Sequence, residues 1–149
     1  MKLLLTGLLL GVLLGGCQKS DPAPPPSSLR LTIDGRAVVC DRDIRASTAH
    51  NPQYLHAYGN WATGSVELEM FRFADTLGTR YLSFDNRLTL HSDGVYSSYS
   101  GYGVSDTGRI VVRAVSPTHI RGTFTGRVVG PFGPPRLITN GEFSISRPE

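Results

Sequence analysis

Lysine is almost missing from this chain: of its 149 residues, only Lys2 and Lys19 are lysine. Cysteine is as scarce, with Cys17 and Cys40 alone, so a small fold held by several disulfides is excluded and the domain must stand on its apolar core. No apolar run reaches the roughly 20 residues that a membrane-spanning helix needs. No segment repeats its apolar residues every three or four positions, so no amphipathic helix is expected. Instead 17 glycines and 10 prolines punctuate the chain. The histidines His50, His56, His91 and His119 lack the spacing of a zinc site, and neither a metal nor another cofactor is expected. A G-x-S-x-G nucleophile turn, a glycine-rich phosphate loop and an ordered Ser/His/Asp set are all missing, which points away from an enzyme.

What is present begins with Lys2 and an apolar stretch from Leu3 to Leu14. As a helix that stretch spans about 18 Å, short of a bilayer core of about 30 Å but right for the apolar region of a secretory signal. It ends Leu14-Gly15-Gly16-Cys17, which resembles the lipobox of bacterial lipoproteins. In that family the cysteine thiol receives a diacylglycerol, the chain is cut before it, and the new amino terminus is acylated. The resemblance implies that residues 1–16 are a signal peptide and that Cys17 is the lipidated first residue of the mature chain. Two fatty chains hold a protein stably on a membrane, so the membrane is the first expected partner. Gln18, where an aspartate often marks inner-membrane retention in such lipoproteins, implies the outer membrane of a bacterial envelope. After the cysteine comes QKSDPAPPPSS. It buries nothing, and residues 17–28 read as a Pro/Ser-rich linker reaching up to roughly 30 Å.

Residues 29–149 then form one domain, carrying 13 arginines against 7 aspartates and 4 glutamates. This balance is too weak and dispersed to expect nucleic acid. Alternation predicts strands at LRLTI (29–33) and RAVVC (36–40), joined by an Asp34-Gly35 hairpin turn. A long loop is expected over 41–52, then strands at 53–59, 65–73, 80–84 and 88–91, with NWATG as a turn. RIVVRAV (109–115) places Ile110, Val112 and Ala114 inward. HIRGTFTGRV (119–128) alternates for ten residues, with Gly122 and Gly126 on the apolar face, where glycine suggests close backbone approach. RLITNGEFSIS (136–146) reads as one strand with a bulge and Gly141 in the left-handed conformation. The fold class is therefore all-β: an antiparallel sandwich or partly closed barrel of about 8–10 short strands, mostly in meander order. Cys40, left unpaired once Cys17 is acylated, reads as a small buried hydrophobe at a strand end.

The blocks GRIVV, HIRGTF and LITNGEFSI, with TIDG near residue 34, resemble the C-terminal half of small uncharacterised lipoproteins of Bacteroidota-type outer membranes. The strong part covers about 40 residues. The resemblance implies a β domain on a lipid anchor and carries no catalytic residue.

Candidate binding residues follow from side-chain chemistry. Trp61, Tyr58, Tyr99 and Tyr102 are aromatic rings in polar surroundings, able to stack on the apolar face of a sugar, with Tyr54 and Tyr96 beside them in type. Arg113, Arg121 and Arg127, with Arg109, share the polar face of one predicted hairpin and suit phosphates or acidic sugars. Glu67 and Glu69 lie about 7 Å apart on one strand face, the only carboxylate pair that a glycan- or peptidoglycan-cleaving alternative can use. The expected role is noncatalytic: a binding or structural module of the cell envelope, its partner a glycan or an envelope protein.

If the lipobox reading holds, mass spectrometry of the mature protein shows an amino-terminal Cys17 carrying fatty acyl groups. Cys17→Ser then abolishes both the acyl mass and membrane fractionation; acylated Cys17→Ser protein would contradict it.

Overall fold

The computed structural model describes residues 26–47, 53–73, 76–92, 94–97, 99–100, 103–104, 108–131 and 133–147. The chain forms two antiparallel sheets that pack face to face as a sandwich and do not close into a barrel. The strands are β1 (Ser28–Ile33), β2 (Arg36–Cys40), β3 (Arg42–Ser47), β4 (Leu55–Trp61), β5 (Gly64–Met70), β6 (Gly78–Tyr81) and β7 (Asn86–His91). They continue with β8 (Val95–Ser97), the two-residue β9 (Tyr99–Ser100) and β10 (Gly103–Val104), then β11 (Gly108–Val115), β12 (His119–Val128) and β13 (Arg136–Ser146). The first sheet runs β2-β1-β13-β12-β11-β6 and the second β3-β4-β5-β7-β8, with β9 and β10 as a separate ribbon. One bridge, Ser97 to Val129, ties the two sheets at a corner.

Alternation in the sequence becomes the two faces of each strand. Val66, Leu68 and Met70 are fully buried on β5, with Glu67 and Glu69 turned outward. On β12, Ile120, Phe124 and Val128 are buried and Arg121 and Arg127 exposed, as the period of two requires. The first hairpin turns at Asp34 (φ 47°) and Gly35 (φ 83°), the paired left-handed geometry of a tight two-residue turn.

The middle of the core rests on two cross-strand exchanges between β12 and β13. Gly122 faces Phe143, and Phe124 faces Gly141. Each ring lies over the glycine of the opposite strand. A Cβ on Gly141 would sit 2.6 Å from the Phe124 ring, and one on Gly122 would sit 2.5 Å from the Phe143 ring. A second notch, the Gly108–Gly126 pair of β11 and β12, is filled by Leu82.

Six local expectations are corrected. Residues 42–47 of the expected loop form β3, an edge strand on which Ile44 and Ala46 pack against the core between charged neighbours. Residues 48–52 lie outside the described residues. Trp61 ends β4, and only Ala62 and Thr63 make the turn. The strand expected at 80–84 lies earlier, at Gly78–Tyr81, because Leu82 leaves the sheet to fill the glycine notch. The strand expected over 65–73 stops at Met70, where Arg72 adopts φ 53°. On β11 a bulge between Val112 and Ala114 leaves Ala114 exposed and gives its inward place to Val115. The bulge in β13 is present, but Asn140, at φ 49°, takes the left-handed turn. Gly141 is required there for space beneath Phe124 rather than for its dihedral freedom. The fold class is as expected, an all-β antiparallel sandwich with mostly meander neighbours; thirteen strands are present among the described residues, and β1 pairs with β13 across the whole domain.

Gly122→Ala and Gly141→Ala each push a methyl into a phenylalanine ring and into partner-strand backbone. Each should lower unfolding free energy by about 1–3 kcal/mol in urea titration. His119 is buried at 2% exposure, and among the described residues neither ring nitrogen has a hydrogen-bond partner. His119→Leu should therefore leave stability unchanged or raise it by about 1 kcal/mol.

Candidate functional site

Each face of the sandwich carries a different chemistry. On the outer face of the second sheet, β4, β5 and β7 bring Tyr54, His56, Glu67, Glu69, Arg87 and His91 together. Glu67 takes His56 Nε2 at 3.3 Å on one oxygen and His91 Nε2 at 3.1 Å on the other. The Tyr54 hydroxyl donates to Glu69 Oε1 at 2.6 Å, and Arg87 Nε lies 2.6 Å from Glu69 Oε2. Burial and this carboxylate acceptor push the Tyr54 phenol above its ordinary range. The two carboxylates are thus held by neighbours on a strand face, and neither lines any of the three depressions described below. The register of β4, β5 and β7 joins His56 and His91 through Glu67, which their sequence spacing does not reveal. Among the described residues, no three His, Cys, Asp or Glu side chains converge as metal ligands. His119 stands apart from these, buried at the inner start of β12.

Trp61 lies in a cleft of about 570 Å³ at one end of the sandwich. Its indole Nε1 donates to Thr63 Oγ1 at 3.1 Å, and the ring covers Gly64, where a Cβ would fall 2.6 Å from it. Ile33 and Val38 give the cleft an apolar floor, while Asp34, Arg36 and Arg136 supply its charge. Asp34 is held by the Leu137 backbone N–H at 2.8 Å and by Arg136 Nη1 at 3.1 Å. The Leu137 N–H, and then Arg136, keep its carboxyl below the ordinary aspartate range. Arg136 also lies over the Tyr96 ring at 5.3 Å.

The outer face of the first sheet is basic. Arg109, Arg113, Arg121 and Arg127 are all exposed on it, as their common face predicted. Two adjoining depressions of about 890 and 270 Å³ meet at Arg113, Thr123 and Glu142. Arg121 lines the larger one and Arg109 the smaller. Arg30 closes on Glu142 at 2.6 Å. Among the described residues, Arg109, Arg113 and Arg121 have no acid partner.

The remaining expected residues divide. Tyr58 is half-buried on the outer face of β4, with Arg45 over its ring at 5.5 Å. Tyr96 is core, at 5% exposure. Tyr99 lies in β9, but its side chain, with Tyr102, Cys17 and His50, lies outside the described residues. Cys40 is buried against Gly59, and burial pushes its thiol up to about 12, so it stays protonated near neutral pH.

A carboxyl held low in the folded state stabilises the fold above its unfolded value near 3.8, and that contribution fades as pH falls through the folded value. Asp34→Asn should therefore lower stability at neutral pH. The gap to the unmutated protein should close below pH 3.8 when urea midpoints are compared across pH. A gap independent of pH would assign the loss to hairpin geometry alone.

Compared with protein-family models, curated proteins and solved structures, the chain matches none.

Proposed function

We propose that this protein is a noncatalytic glycan-binding module, tethered through Cys17 to the outer membrane of a bacterial envelope, with the Trp61 cleft as its binding site. The observation that carries the reading is the cleft's composition. An indole wall and an apolar floor sit beside a carboxylate, two guanidiniums and the hydroxyls of Thr63 and Ser92. A sugar ring offers the matching surface, with C–H groups on one face for the indole and hydroxyls around the rim for the polar groups. Arg36, at the mouth, has no acid partner among the described residues, which favours a glycan bearing a carboxylate or phosphate.

The position of the acids supports binding over hydrolysis. Glu67 and Glu69 face outward, held by Arg87, Tyr54 and two histidines and away from the three depressions described, whereas glycoside cleavage needs two carboxyls flanking the scissile bond.

Trp61 is the only tryptophan, so its emission reports on the cleft directly. Titrating the chain with acidic oligosaccharides and peptidoglycan fragments should shift or quench that emission with saturation. Trp61→Phe should keep weakened binding by calorimetry, and Trp61→Ala should lose about tenfold or more in affinity. An emission unmoved by the whole panel, together with unchanged calorimetry, would sink the glycan reading.

A further inference from the structure

The tether and the basic face meet at one end of the sandwich. Ser27 Oγ accepts the Ser146 backbone N–H at 2.9 Å, so the chain enters β1 beside the end of β13. The start of β12 lies at the same end, since His119 pairs with Ser146. The larger depression opens here, lined by Ser28, Arg113 and Arg121. Between Cys17 and Ser27 lie nine residues, which span ten steps of the chain and an extended reach of about 30 Å. A lipid surface holding Cys17 therefore stays within that distance of this end.

Among the described residues, charge at this end is unbalanced. Among the described residues, the one carboxylate lining the depression, Glu142, is occupied by Arg30. Arg113 and Arg121 are exposed and, among the described residues, without an acid partner. Val39, 66% exposed, stands at the rim as an apolar contact. The Trp61 cleft lies at the opposite end of β1, where Ile33 and Asp34 line it, about 17 Å away along the strand.

We propose that Arg113 and Arg121 seat this end of the first sheet on the phosphates of the lipid surface that holds the tether, so that the Trp61 cleft faces away from the membrane. The proposal rests on the tether reading at Cys17. The occupant is a phosphate-bearing lipid headgroup, because the tether holds that chemistry close at all times and guanidinium forks fit phosphate oxygens. Each arginine near an anionic surface contributes about fivefold in affinity. That is too little to recruit a free protein, but enough to orient one already tethered at high local concentration.

The test uses Gln18–Glu149, which retains all the buried residues described while lacking Cys17 and the apolar leader. Its binding to phosphatidylcholine vesicles is compared with binding to vesicles enriched in phosphatidylglycerol. The expected result is weak, salt-sensitive binding to the anionic vesicles alone. Arg113→Glu with Arg121→Glu should reduce it at least tenfold, whereas Arg42→Glu with Arg45→Glu, an equal charge change on β3, should not. Trp61 emission should resist quenching by nitroxide-labelled lipid. Thermal unfolding checks that both double variants fold, and Arg113→Gln with Arg121→Gln replaces the first if it does not. Equal binding to neutral vesicles, equal loss in both pairs, or a quenched Trp61 overturns the proposal. Binding to acidic oligosaccharides that needs Arg113 and Arg121, without any vesicle binding, overturns it too and moves that face to a glycan. Acylation of unmutated Cys17 is scored separately, so a failed tether and a failed docking face give different results.

Discussion

Two phenylalanines and two glycines, exchanged across one strand pair, hold the middle of this molecule. Phe124 and Phe143 stand on neighbouring central strands with centroids 6.4 Å apart. Both rings fit in one layer because each lies down over a glycine opposite it. Any side chain at Gly122 or Gly141 would lift a ring into the second sheet. The same device recurs one strand over, where Leu82 lies in the notch made by Gly108 and Gly126. The first sheet is thus lined by glycine where its partners are bulky, and the fold needs no disulfide to fix the spacing of its two layers.

From that spacing follows the placement of everything on the surface. Because β13 is central and pairs with β1, the entry and exit of the domain share one end of one sheet. The hairpin turn at Asp34 is sent to the other end, where its carboxylate pins the start of β13 through Leu137 and Arg136. The Trp61 cleft is built on this pin. Its charged rim is therefore structural as well as exposed, which fixes Asp34 and Arg136 in place before any ligand arrives.

The best strands were legible because their alternation is unbroken. β5 alternates from Val66 to Met70 and β12 from Ile120 to Val128, and over those spans the buried positions fall where a period of two puts them; Ser65 and His119, just before them, are buried out of phase. β3 was not legible because an edge strand with one half-buried isoleucine and one alanine between charges carries little apolar signal. The left-handed residue of the β13 bulge was misassigned for a physical reason: sequence rules give that conformation to glycine, but Phe124 claims the glycine for space and Asn140 takes the turn. In the cleft, Trp61 stood out as the single indole, yet its neighbours did not. Arg136 and Asp34 are 102 residues apart and meet only through the β1–β13 pairing. The link between His56, Glu67 and His91 likewise needs the register of three strands.

The distribution of carboxylates decides what each face can do. On the second sheet, Glu67 and Glu69 are saturated by His56, His91, Tyr54 and Arg87, so that face is a closed polar layer with little charge left to offer. On the first sheet, among the described residues, a single exposed strand carboxylate, Glu142, lies among several arginines and pairs with Arg30. A sandwich of modest net charge therefore presents a basic side and a side whose acids are already bonded to their neighbours. Such local imbalance steers a small domain at close range even when its total charge does not. Arg113 and Arg121 lie toward the end where the chain enters β1, which is why the basic side and the proposed lipid attachment are best understood together.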